Sequence, residues 1–134
     1  MTKPNRVERF QSQKVSFKET ISVEEGVECD VYTLDGDQSR DLAIITVTRG
    51  HKTPLQRVLH GTSTIEGHLE GKGTLVITDE DDKATIYQFD EGAPSNGVEV
   101  PIGQTMQWSA DPESDLTFYE ICTPPYEDGR FENL

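Results

Sequence analysis

Short stretches in which apolar residues alternate with polar ones, separated by glycine, proline and aspartate punctuation, run along most of the chain. A period of two with closely spaced turns predicts an all-β sandwich or barrel. Residues 15–23, VSFKETISV, place Val15, Phe17, Ile21 and Val23 on one expected face, which Glu19 interrupts. A carboxylate there predicts a strand at a sheet edge or barrel end, where it reaches water. Residues 27–34 form the next segment, and residues 42–48, LAIITVT, are nearly continuous in aliphatic and β-branched side chains, as a strand buried on both faces requires. Asp35-Gly36-Asp37 between them is a turn signal. Gly71-Lys72-Gly73, between segments 62–69 and 74–78, predicts a hairpin, and the acidic run 79–82 an exposed turn before residues 84–89. Residues 92–97 read as a loop and Pro101-Ile102-Gly103 as a turn. No segment combines helical period with caps, so little helix is expected.

A chain of 134 residues with 33% hydrophobic content suits one domain with one core. Residues 1–13 have little to bury and read as a flexible arm or one swapped onto another subunit, with residues 14–134 as the domain. With 25 acidic and 12 basic side chains the formal net charge is −13, which repels phosphate backbones and anionic lipid surfaces. No nucleic-acid partner and no membrane partner are expected. The N-terminus lacks the apolar core of a secretory signal, and a soluble cytoplasmic protein is expected. Cys29 and Cys122 are too few for a disulfide framework, and Cys122, in an apolar strand pattern, reads as a reduced packing residue.

The segments TPLQRVLHGTSTIEGHLEGKG, residues 53–73, and VPIGQTMQWSA, residues 100–110, resemble the paired motifs of the cupin family. The family's first motif carries two histidines one residue apart and a glutamate between flanking glycines; its second carries Pro-x-Gly, a histidine and an asparagine. Counting from Gly50 and back from Gly71 puts Gln56 and Val58 at the histidines and Thr64 at the glutamate. Pro101 and Gly103 keep their places, but Met106 stands at the third histidine and Ala110 at the asparagine. An alternative register sets Val58 and His60 at the histidine pair. Residues 116–132, LTFYEICTPPYEDGRFE, look like the family's last strand running into a double proline. The resemblance implies a single cupin-type jelly-roll barrel, a double-stranded β-helix, with the usual metal-ligand positions replaced. A sheet with open edges, together with the family's frequent dimers, makes a homodimer a reasonable expectation.

Strand parity then gives Gln56, Val58, His60, Thr64, Glu66, His68, Met106 and Trp108 as the expected inward set. Valine has no donor, and glutamine, threonine and a thioether are weak ligands for a transition ion, so no metal and no cofactor are expected at the matched positions. The expected function is binding of a small organic molecule, with carbohydrate-like or carboxylated metabolites implied by the resemblance. Ligand-binding candidates are Gln56, Val58, Thr64, Glu66, His68, Met106 and Trp108. Enzymatic activity stays open: His60, Glu66 and His68 could serve a metal-independent isomerase, epimerase or lyase, since imidazole and carboxylate exchange protons near neutrality, or a displaced metal site. A third reading is a noncatalytic regulatory or assembly protein with a filled barrel. Trp108 is either a pocket wall for a ring-shaped ligand or a core residue closing one end. His51 reads as a surface residue.

Overall fold

A computed structural model describes residues 15–90 and 97–134. The described residues form β1 (Val15–Glu24), β2 (Val27–Leu34), β3 (Asp37–Val47), β4 (Gln56–Val58), β5 (Ser63–Gly71), β6 (Gly73–Thr78), β7 (Ala84–Phe89), β8 (Val98–Glu99), β9 (Thr105–Ala110), β10 (Leu116–Thr123) and β11 (Phe131–Asn133). No helix occurs among them, and none is therefore long and apolar enough to cross a membrane. Two antiparallel sheets result, one ordered β1-β2-β3-β10-β5-β8 and the other β11-β4-β9-β6-β7. The expected N-terminal arm, residues 1–13, and most of the expected loop at residues 92–97 lie outside the described residues.

The aliphatic run of β3 is buried on both faces, as its composition requires. Ala43, Ile45 and Val47 enter the core between the sheets, while Leu42 and Ile44 join Tyr32, Leu34 and Tyr119 in a second cluster on the outer face of the six-stranded sheet. Tyr119 lies flat against β5 because residue 67 is glycine; a Cβ there would fall 2.1 Å from the phenol ring.

β1 is an edge strand, but its apolar residues do not share one face. The pairing with β2 slips between Phe17 and Glu19, so Phe17 pairs with Tyr32 on the outer side while Ile21 pairs with Cys29 on the inner side. A bulge inserts one residue and thereby reverses the parity that alternation alone predicts.

Gly71-Lys72-Gly73 is a corner, not a hairpin. β5 belongs to the six-stranded sheet and β6 to the five-stranded one. Gly71 takes φ +82°, and side chains at 71 and 73 would run into the backbone oxygens of Asp115 and Ser109, so the chain crosses between sheets only where both residues lack a Cβ. The hairpin lies one step later, between β6 and β7, where Asp79 Oδ1 accepts from the backbone N–H of Asp81 at 2.8 Å and of Lys83 at 3.0 Å. The acidic run thus makes its own turn.

Candidate functional site

Strand register lines up three rows of side chains on the inner face of the six-stranded sheet. Cys29, Ile45, Phe118 and His68 form one row; Val31, Ala43, Glu120 and Glu66 form the next; Asp41, Cys122 and Thr64 form the third. Facing them from the other sheet are Gln56, Met106 and Trp108, with Gln56 paired to Met106. Between these walls lies a cavity of about 410 Å³, within the range of small-molecule sites. Ile21, Val23 and Tyr126, all exposed, stand on its rim.

Glu66 is the chemically distinctive wall residue. It is 1% exposed, and its Oε1 accepts a 2.9 Å hydrogen bond from Trp108 Nε1–H. Among the described residues, none donates to Oε2. The neighbouring carboxyl, Glu120, becomes its hydrogen-bond partner only when one of the two carries a proton. Burial first, then the charge of Glu120 and the hydrogen bond with it, raise the Glu66 pKa well above its ordinary value, and the indole N–H only partly opposes them.

Asp41 lies along the same wall. Its Oδ2 accepts from the Tyr126 backbone N–H at 2.9 Å; burial raises its pKa while that bond and the Arg130 charge lower it. Burial and then Glu120 push both thiols, Cys29 and Cys122, far above the usual thiol range, so neither is a nucleophile at neutral pH. Both are free cysteines, and Cys122 is buried as expected of a packing residue.

Of the residues singled out in the sequence, Gln56, Glu66, Met106 and Trp108 line the cavity. Val58, Thr64 and His68 are each 1% exposed but do not reach its wall. Thr64 Oγ1 accepts from Arg130 Nη2 at 2.9 Å, and His68 Nε2 bonds the Gly71 carbonyl at 2.7 Å, tying the imidazole to the corner. His60 is exposed, because β4 ends at Val58 and Gly61, at φ +113°, turns the chain. The trio of His60, Glu66 and His68 is accordingly not assembled. His51, half-buried, rests its ring over Gly26. Among the described residues no three His, Cys, Asp or Glu side chains are grouped to hold a metal ion.

Trp108 is a core residue that also borders the cavity. The indole stacks on Phe118 at 4.2 Å between centroids and on Phe89 at 5.5 Å, and Phe89 also stacks on His68 at 5.0 Å. At 1% exposure and with these rings against it, the indole packs chiefly into the core.

Sequence reasoning passed over Glu120, Asp41 and Cys29. Glu120 shares its parity with Phe118 and Cys122 within LTFYEICT, and that alternation was the available signal. For Asp41 no such signal existed, because the part of β3 beyond it, residues 42–47, is apolar on both faces and leaves its parity unassigned.

No family model matches this chain, and no curated protein matches it. Solved structures do. The capsular polysaccharide assembling protein CapF from Staphylococcus aureus superposes with a TM-score of 0.69 at 13% identity, covering 90% of this chain and 34% of that one. Bacillus subtilis oxalate decarboxylase gives 0.69 at 18% identity, over 87% of this chain and 30% of its own. This chain thus spans about a third of the proteins it resembles. The shared feature is a cupin-type fold of two antiparallel sheets, which at such identities speaks for the fold alone.

Proposed function

We propose that this protein binds a compact organic molecule in the cavity between its sheets. The observation that carries the reading is the meeting of open volume with chemistry: about 410 Å³ bordered by a buried carboxyl oxygen that no donor among the described residues reaches. A barrel filled by its own side chains would leave neither. Pockets that hold small molecules combine an apolar wall with a few converging polar groups, and Val31, Ala43, Ile45 and Phe118 supply the apolar part here.

The wall chemistry also narrows the two ligand classes expected from the sequence. Among the described residues, Asp41, Glu66 and Glu120 border the cavity and no lysine, arginine or histidine does, so a carboxylated ligand would meet like charge there without a counter-ion. A hydroxylated, carbohydrate-like or amine-bearing ligand meets acceptors instead. The acid–base trio is the weaker reading, since neither His60 nor His68 stands on the wall. The names of the two similar structures suggest polysaccharide assembly and oxalate chemistry for those proteins, and neither transfers through fold alone.

Screening polyols, sugars, amines and organic acids by thermal shift and by the fluorescence of Trp108, the sole tryptophan, tests the reading. A true cavity ligand raises the melting temperature and changes the emission of an indole bonded to the cavity wall. Ala43→Phe, which places a ring in the cavity, should abolish both responses. Equal stabilisation of the wild type and Ala43→Phe would place binding elsewhere and overturn the reading.

A further inference from the structure

The charge of the ligand can be inferred from the same wall, on the premise that the cavity is a binding site. Three carboxyls from neighbouring strands face it: Asp41 on β3, Glu120 on β10 and Glu66 on β5. The buried guanidinium of Arg130 does not border it, being committed to carbonyls: Nη1 donates to Pro124 at 2.9 Å and Nη2 to Ser63 at 2.6 Å, in addition to Thr64 Oγ1. Acidity alone would say little. The separate observation is Glu66 Oε2, in a side chain 1% exposed, with no donor among the described residues and a place on the cavity wall. A buried carboxyl oxygen in that position calls for an N–H or O–H from whatever occupies the cavity.

We propose that the cavity takes an organic cation: a protonated amine whose N–H groups donate to Glu66 Oε2 and to the Glu120 carboxyl, on a compact apolar body packed against Val31, Ala43, Ile45 and Phe118. Without the amine, burial and the charge of Glu120 favour the protonated form of Glu66. The ammonium displaces that proton to solvent, and charge-assisted hydrogen bonds replace it. Affinity then rises with pH as Glu66 gives up its proton, until the amine itself deprotonates. The groups sharing this field are Glu120 and Cys122 on β10, Asp41 on β3, Cys29 on β2, Lys18 on β1, and Tyr126 and Arg130 before β11, with His68 two residues along β5 from Glu66. Burial and Glu120 keep the thiols protonated, and Arg130 and Lys18 partly oppose the effect of burial on Asp41, so Glu66 carries the response.

Three probes with one ring and different heads separate the possibilities: cyclohexylmethylamine, cyclohexylmethanol and cyclohexanecarboxylate. Each is titrated calorimetrically into the full chain, at several pH values around neutrality and in two buffers of different protonation heat. The amine should bind about tenfold or more tighter than the alcohol, release a proton and bind better as pH rises, while the carboxylate does not bind. Glu66→Gln should lower amine affinity about tenfold and abolish proton release while the alcohol is unaffected. Glu120→Gln serves as the second variant should the first fold poorly. Alcohol binding as tight as amine binding, with both lost in Ala43→Phe, overturns the cation and leaves the cavity reading standing. Amine binding that survives Ala43→Phe reflects the acidic surface and also overturns the cation. Absence of heat from all three probes overturns it as well, and the cavity reading then stands or falls on its own fluorescence screen.

Discussion

The layer between the sheets is built in two ways along one set of strands. At one end Val47 pairs with Leu116 on the six-stranded sheet, and Leu75 packs from the opposite sheet; all three are fully buried. Two rows further along, the same strands present Ala43 and Glu120, with Glu66 beside them and Asp41 one row beyond, and there the space stays open. Aliphatic side chains interdigitate and lose nothing by excluding water. A carboxyl sealed into such packing without a donor would cost about 1–3 kcal/mol or more. The hollow end is where the polar groups are, so the opening belongs to the chemistry of the wall and is not a packing fault.

Cavity-creating substitutions give the largest separation between the two ends. Leu116→Ala, at the filled end, should lower unfolding free energy by about 2–5 kcal/mol. Val31→Ala, already beside open volume and only partly buried, should cost about 1 kcal/mol. Urea denaturation measures both, and equal losses would erase the distinction.

Trp108 joins the two ends, being stacked on Phe118 and Phe89 while donating to Glu66. Trp108→Phe keeps an aromatic ring but leaves Glu66 Oε1 without its donor, which should cost about 1–3 kcal/mol and raise the Glu66 pKa further. Recovery of that loss in Trp108→Phe combined with Glu66→Leu would trace it to the orphaned carboxyl, and an unchanged loss would trace it to packing.

The pH dependence of stability sharpens the comparison next. A carboxyl whose pKa is raised by folding holds its proton more tightly in the native state, so stability falls as pH rises from its ordinary value of 4.5 through the higher native value. Asp41 acts in the same direction. Melting temperature should therefore decline with pH over that window, and Glu66→Gln should flatten the decline by up to one proton's worth, about 1.4 kcal/mol per pH unit. Parallel profiles for the two proteins would remove Glu66 as the cause.

The smallest expected effect is on the thiols. Cys29 borders the cavity and Cys122 is buried beside it, yet both should resist alkylation at neutral pH in the folded protein and react in denaturant, because burial and Glu120 hold them protonated. Rapid labelling of Cys29 in the native state would show a wall more hydrated or less acidic than described.

Much of the fold was legible in alternation and punctuation. The double-faced burial of β3 followed from LAIITV, and the edge position of β1 from Glu19 within an apolar face. The errors came where one residue changes the geometry of everything after it. The bulge beyond Phe17 sends Ile21 to the cavity rim, and the Gly71–Gly73 corner carries β6 into the other sheet where a hairpin was expected. Neither leaves a mark in hydrophobic pattern. The site was half legible: parity put Glu66, Met106, Gln56 and Trp108 inside, but could not tell a side chain that borders space from one sealed into packing, as His68 and Thr64 are.

By itself, then, the sequence determined an all-β chain whose cupin-like spacing lacks the usual metal ligands at Gln56, Val58, Thr64 and Met106, because strand period and donor chemistry are local properties of residue type. Only the tertiary structure decided that Glu66 meets Glu120, that Trp108 donates between the sheets, and that His60 and His68 are held away from the cavity wall. Those relations join residues 42 to 54 positions apart through cross-strand register and sheet-to-sheet packing, and a one-residue bulge or a glycine corner anywhere between them resets which side chains meet.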